Sequence, residues 1–207
     1  MPGPERNQPY RVCEVALTAN LEDTIRILHY CLLVGGTLFI VGLENRYPLT
    51  ETSDLKSRMN HGLSNLGLWL ITVLCVDIGL QAYLTQLPTL VHFSERGFLS
   101  GLGLPTVWLI VLSLLILDFV SYIVHSLMHK LPWLWIFHSV HHSDPSLDIS
   151  TSFRFHPVEA LIGLLWVTTL VIAMGMPLWI APLRALVILP LSLMHHANIA
   201  IPDSIER

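Results

Sequence analysis

The sequence predicts an all-α protein: a multi-span membrane bundle of four or five helices with a histidine-rich site at its cytoplasmic face. Three observations predict it. Hydrophobic residues make up 53% of the chain and charged residues only 13%, against about 25% charged in a soluble domain. Apolar runs close to the roughly 20 residues needed to cross the hydrocarbon core recur along the chain. Histidine is the surplus residue, with eleven copies, and five of them fall in the eighteen residues from His125 to His142.

Residues 1–24 are polar and contain three prolines. They lack a basic stretch followed at once by an apolar core and a small-residue cleavage site, so no cleaved signal peptide is expected. They form a polar segment ahead of a membrane domain over 25–207. The first apolar run, 27–43, is uncharged, has His29 near its start, and is expected to act as signal and anchor together. The second, 63–84, is interrupted by Asp77. The third, 102–124, is interrupted only by Asp118, and the fourth, 158–180, carries Glu159 at its edge. The last apolar stretch, 181–194, is shorter and holds Pro182, Arg184 and Pro190. It is either a tilted fifth helix or the returning half of a re-entrant hairpin, with Gly175 and Pro177 supplying the break before it.

Charge gives the orientation. With five crossings, Arg46, Lys56, Arg58, Lys130, Arg154 and Arg207 share one side. Arg6, Arg11, Arg96 and Arg184 share the other, with Arg26 at a helix edge. The small excess puts the histidine cluster in the cytoplasm by the positive-inside rule, in a bacterial inner membrane or the endoplasmic reticulum. The net charge of −4 gives no basic surface for nucleic acid. Cys13, Cys31 and Cys75 stand apart, with neither disulfide-framework nor zinc-ribbon spacing.

The histidines carry the chemistry. They read H-x3-H, then H-x2-H-H: His125 and His129, then His138, His141 and His142. If the third helix continues to Lys130, Asp118, Tyr122, His125 and His129 lie on one face. His125 and His129 are then about 6 Å apart along the axis, close enough to share a metal. Pro132 breaks the helix, and Trp133 and Trp135 mark the headgroup level. A new helix through His138 sets His141 and His142 one turn on. Neighbouring residues on a helix point about 100° apart, so this pair can serve two different ions. Burying five imidazoles beside lipid is costly unless something pairs with them. All-nitrogen sites suit zinc, copper, iron or nickel. A structural zinc needs only four ligands, so five or more imply two metals or a ligand-rich site. There is no H-E-x-x-H of a zinc protease.

Four stretches together resemble the fatty acid hydroxylase and sterol desaturase superfamily. They are Asp118 through His125 to His129; His138-Ser139-Val140-His141-His142-Ser143, with Leu134 and Trp135 ahead of it; Arg154-Phe155-His156-Pro157-Val158-Glu159; and His196-Ala197-Asn198-Ile199. The resemblance covers roughly 65–207, with several motifs agreeing in order and spacing. It implies a membrane-bound non-haem di-iron oxidoreductase, with two iron ions and O2 as co-substrate, that hydroxylates or desaturates a fatty acyl chain or sterol. By the same resemblance His125, His129, His138, His141, His142 and His196 are metal ligands. Two departures stand out. Ser126 follows the first histidine where the family often has Arg, and the family's last H-x2-H-H is absent. That cluster is expected shortly after 202–207, so the chain reads as C-terminally incomplete. Neither an H-P-G-G haem motif nor a nucleotide fingerprint is present, so a separate electron donor of the cytochrome b5 or ferredoxin type is expected. The competing class is a non-catalytic metal-binding membrane protein or an inactive remnant of such an enzyme.

His156 is either an outer-shell partner of the site or a hydrogen-bonding residue that holds its loop. His195 and His196 are expected to split, His196 facing the site. Asp118 is either the acceptor for a ligand histidine's ring N–H or a structural partner, and Asp77 is expected to pair structurally. Asp144 and Pro145 read as a helix stop, with Asp148 capping the next element. His29, His61 and His92 are isolated and read as interfacial or packed.

Overall fold

A computed structural model describes residues 8–50, 54–84 and 97–200, with side chains from residue 23 onward except at 80–84. The described residues form six α-helices: α1 (Gln8–Arg46), α2 (Leu55–Leu84), α3 (Thr106–Lys130), α4 (Pro132–His142), α5 (Pro157–Met174) and α6 (Ile180–His196). Two 3₁₀ turns, Ser100–Leu102 and Ile149–Phe153, lie between them. An isolated antiparallel bridge between Pro48 and Ile199 is the β-pairing found among the described residues.

Four segments are long and apolar enough to cross a membrane: Asp23–Arg46, Leu55–Gly79, Thr106–Lys130 and Pro157–Met174. Large apolar side chains such as Leu38, Phe39, Leu74, Ile78, Leu115 and Phe119 stand exposed on them. That is the pattern of helices whose outer faces meet lipid.

The helix ends follow local chemistry. α1 starts at Gln8, well before the apolar run, so the polar segment expected over 1–24 is helical from that residue. Its Ala, Leu and Glu residues are good helix formers. The Asp54 carboxylate accepts from the Ser57 amide at 2.9 Å and caps α2. Pro105 precedes α3, which runs on to Lys130 as the one-face reading of its histidines requires. α4 then opens with Pro132 at its first position, where the missing N–H costs nothing. The fourth apolar run does not continue to residue 180. α5 ends at Met174 because Gly175 takes the left-handed conformation (φ 68°), which an L side chain resists. Gly97 packs so closely on the Gly175 backbone that a Cβ on Gly97 would have no room. α6 is continuous from Ile180 to His196 despite Pro190, so the last stretch is a helix of its own.

α1 packs on α6, α2 on α5, and α3 on α4 and α6. The turn at Ile149–Phe153 contacts α1, α2 and α6. Two polar knots fix it. Glu44, only 1% exposed, accepts from the backbone amides of Ile149 and Asn198, both at 2.8 Å. His61 on α2 bridges Asp144 (2.6 Å) and Asp148 (3.1 Å), and Asn65 donates to Asp144 (3.1 Å) and Ser150 (2.8 Å). His61 is packed, as expected of it, but it is also a hub. His92 lies outside the described residues.

Candidate metal centre

Three helices deliver the six histidines: two from α3, three from α4 and one from α6. α3 carries His125 and His129 one turn apart, with ring centroids 4.8 Å from each other. The break at Leu131–Pro132 turns α4 back, so that His138 meets both: its ring lies 4.7 Å from that of His125 and 4.8 Å from that of His129. One turn on, His142 closes the group, its Nε2 3.1 Å from the Nε2 of His138. The Nε2 of His129 lies 3.3 Å from the same atom. Ring nitrogens of His125, His129, His138 and His142 all fall within 4.8 Å of one another, a set able to hold a metal ion. Trp135 stacks on His142 at 5.6 Å and fixes that ring's direction.

His141 points elsewhere, as adjacent residues on a helix must. Its ring lies flat on Phe155 at 5.1 Å, and its Nε2 is 3.1 Å from the Nε2 of His196 at the end of α6. The two adjacent histidines of α4 thus face different partners.

Hydrogen bonds set the tautomers. The Nδ1–H of His138 donates to Glu159 Oε1 at 2.7 Å. The Nδ1–H of His141 donates to the Arg154 carbonyl at 3.2 Å, and that of His196 to the Ser192 carbonyl at 2.8 Å. With Nδ1 protonated, each Nε2 is a lone pair. Lone pairs then face one another at 3.1 Å between His141 and His196, an arrangement that repels unless a cation or proton lies between. The orienting acceptors are those that metal-bound imidazoles use.

Burial and the neighbouring imidazoles push the His138 ring down to about 4 and that of His141 to about 4 as well. His142 is lowered by the same causes. These rings are neutral at physiological pH, the form that binds metal.

The remaining candidates have other surroundings. His156 caps α5, its Nδ1 accepting from the Val158 amide at 3.1 Å, and packs on Phe137 at 5.0 Å. His195 is exposed. Asp118 is exposed on α3, within electrostatic reach of Arg184, and no histidine hydrogen bond to it occurs among the described residues. Asp77 is exposed on α2. Asp144 lies just past the end of α4, and Asp148 caps the turn after it, accepting from Ser150 N at 2.8 Å.

Two motif residues that sequence reasoning gave no role take one here. Glu159, set aside as the edge of an apolar run, is buried and orients His138. An ionisable residue inside a membrane segment is itself a signal of a site. Arg154 straps the end of α4, donating to Val140 O at 2.8 Å, to Asn65 at 2.8 Å and to Ser143 at 3.1 Å.

Residues 110–206 match the fatty acid hydroxylase family. The matched stretch is just under half of the chain. All six histidines of the two groups lie within the matched stretch, as do Arg154 and Glu159. The chain is also similar to the ornithine lipid hydroxylase OlsE of Rhizobium tropici, 31% identical over 99 residues. Those residues are 46% of this chain and 29% of that protein, so the chain spans less than a third of its curated relative. No solved structure matches.

Proposed function

We propose that this domain is the metal-bearing part of a membrane-bound, O2-dependent lipid hydroxylase holding two iron ions. The observation that carries the reading is the convergence of ring nitrogens from α3, α4 and α6 into two adjacent groups. His125, His129, His138 and His142 would hold one ion, and His141 with His196 would contribute to the second. The match to the fatty acid hydroxylase family supports a lipid substrate. The name of the relative adds that a hydroxylase of this likeness acts on an ornithine lipid.

Iron bound there supplies the redox chemistry that O2 reduction needs. The overall balance is one C–H bond, one O2, two electrons and two protons giving one C–OH and one water. The electrons come from a separate donor of the cytochrome b5 or ferredoxin type. The protein's own residues do the positioning. Glu159, the Arg154 carbonyl and the Ser192 carbonyl hold three ring N–H groups, which keeps three Nε2 lone pairs turned inward. Arg154 ties the end of α4 to α2 through Asn65, so the two histidine groups keep their spacing. The apolar faces of the helices admit a lipid chain from the bilayer and exclude bulk water. In this reading the histidines face the cytoplasm.

The test is the product. Full-length protein, co-expressed with a donor system under 18O2, is expected to yield a membrane lipid one hydroxyl heavier and labelled with 18O. Exchanging His138 and His141 for Ala should abolish both the product and the bound iron. A dehydrogenated lipid with no label would make the chemistry desaturation. Iron-free protein with no altered lipid would leave a non-catalytic membrane protein.

A further inference from the structure

We infer that a cleft between α3 and α5 seats one acyl chain of the substrate, its polar end toward His125 and its tail toward Ala173, and that Trp166 at the waist of this cleft sets which carbon faces the metal centre; the inference rests on the hydroxylase reading. α3 packs on α4 and α6, and α5 mainly on α2. A gap remains between α3 and α5 on their outer side, and two spaces lie end to end in it. The upper one, about 310 Å³, is walled by residues such as His125 and Met128 of α3 and Ala160 and Gly163 of α5. The lower one, about 480 Å³, has Val120 of α3 and Leu165, Thr169 and Ala173 of α5 among its walls. Trp166 lines both. α5 rises about 20 Å from Ala160 to Ala173, so the two spaces together run along about two thirds of the hydrocarbon core.

The ends of the cleft say what fills it and which way round. Trp133 and Trp135, exposed just beyond α3, mark the headgroup level. α3 ends beside them at Lys130, and α5 starts from the same side at Pro157. The upper space is therefore the one near the headgroups, and the lower space lies deeper in the bilayer. The lower walls carry no charge, and Thr169 gives them their one hydroxyl. A lipid whose polar end sits at headgroup level drops its tail past His125 and Trp166 toward Ala173. Its upper end at a ligand histidine sets this cleft apart from an apolar face that only meets lipid. An alkyl chain has no hydrogen-bonding group along its length, so shape alone fixes its register. In an apolar pocket a single methylene changes selectivity by about 10–200-fold. Trp166 is placed for that task. It packs against the buried cluster that includes Leu117 and Val171. The Arg184 guanidinium of α6 lies over its ring, 5.5 Å from the centroid, and donates to Ser121 on the opposite wall at 2.7 Å. The indole is thus held from behind at the junction of the two spaces.

The experiment uses the full chain in detergent and stearic acid carrying a diazirine at one chosen carbon. Light fixes the acid to whatever lies beside that carbon, and mass spectrometry of the peptides locates the mark. A tail-end diazirine is expected to mark the lower walls, on α3 near Val120 and on α5 between Leu165 and Ala173. A diazirine beside the carboxyl group should mark the upper walls. Thr169→Trp fills the lower space from an exposed position. It should cut the tail-end mark by about tenfold or more, with helical circular dichroism and metal content unchanged. In Trp166→Leu a mid-chain diazirine should spread its mark over more than one helical turn, about 5 Å, where wild type keeps it within one. Under 18O2 the same variant should place the labelled hydroxyl on several carbons where wild type favours one.

Marks spread evenly over the outward faces of α1 and α2 would mean surrounding lipid only and would overturn the inference. So would a tail-end mark untouched by Thr169→Trp, or a mid-chain mark as sharp in Trp166→Leu as in wild type. The marks need no turnover, so these failures leave the hydroxylase reading standing. Iron-free protein with no altered lipid, its cleft marked as expected, would overturn that reading instead.

Discussion

At the scale of single residues, metal binding depends on what each imidazole's far nitrogen does. His138 has both nitrogens committed, Nδ1 to Glu159 and Nε2 toward His129 and His142. Replacing Glu159 by Ala removes the acceptor that fixes the ring, and loss of such partners typically costs about 10–100-fold in metal affinity. Isothermal titration of metal-stripped protein checks this. Protonation gives a second test at the same scale. His138 and His141 accept a proton only near pH 4 in the fold, against an ordinary value of 6.5. Folding therefore disfavours their charged form. The contribution of these two rings to the stability of the metal-free protein is full above about pH 6.5 and is lost as pH falls from there toward 4. NMR of ring-labelled histidine should show these two rings neutral at about pH 5.5, and the melting temperature should drop across that window. A ring titrating near its ordinary value would contradict the burial that the geometry assigns to it.

At the scale of elements, legibility differed from place to place. The apolar runs, the break at Pro132 and the split between His141 and His142 were readable, because helical period and proline chemistry are local. Helix ends were less so. The fourth run looked continuous to residue 180, yet Gly175 stops it at Met174, since hydropathy does not register backbone handedness. The partners of the histidines were the least legible. Glu159 is 21 residues from His138, Asn65 is 89 from Arg154, and Glu44 is 154 from Asn198; nothing local announces such pairs. Glu44 lends itself to a test. Its Ala variant strands two amides, that of Ile149 and that of Asn198, the latter just beyond His196, at about 1–3 kcal/mol each. Its Gln variant keeps an acceptor and should cost less than half as much. Thermal melts of the two variants distinguish them. Gly175→Ala should cost about 1 kcal/mol or more through its left-handed backbone, with a lower melting temperature and unchanged metal content.

At the scale of the whole molecule, apolar helices surround a polar seam built from α3, α4, the Ile149–Phe153 turn and the end of α6. Membrane-embedded charge is expensive, and here the costly groups are gathered where they engage one another. The superfamily was legible from the order of four short motifs, and the fold bears out the all-helical, multi-span expectation. Which lipid the proposed enzyme takes was not legible from these residues, because that choice depends on the shape of the pocket and not on motif order. The most direct measurement of the central claim is iron per chain in purified full-length protein, wild type beside His129→Ala/His138→Ala. The account predicts iron bound by wild type and lost from the double variant, with the helical circular dichroism of both alike. Iron retained by the double variant at the wild-type level would contradict it.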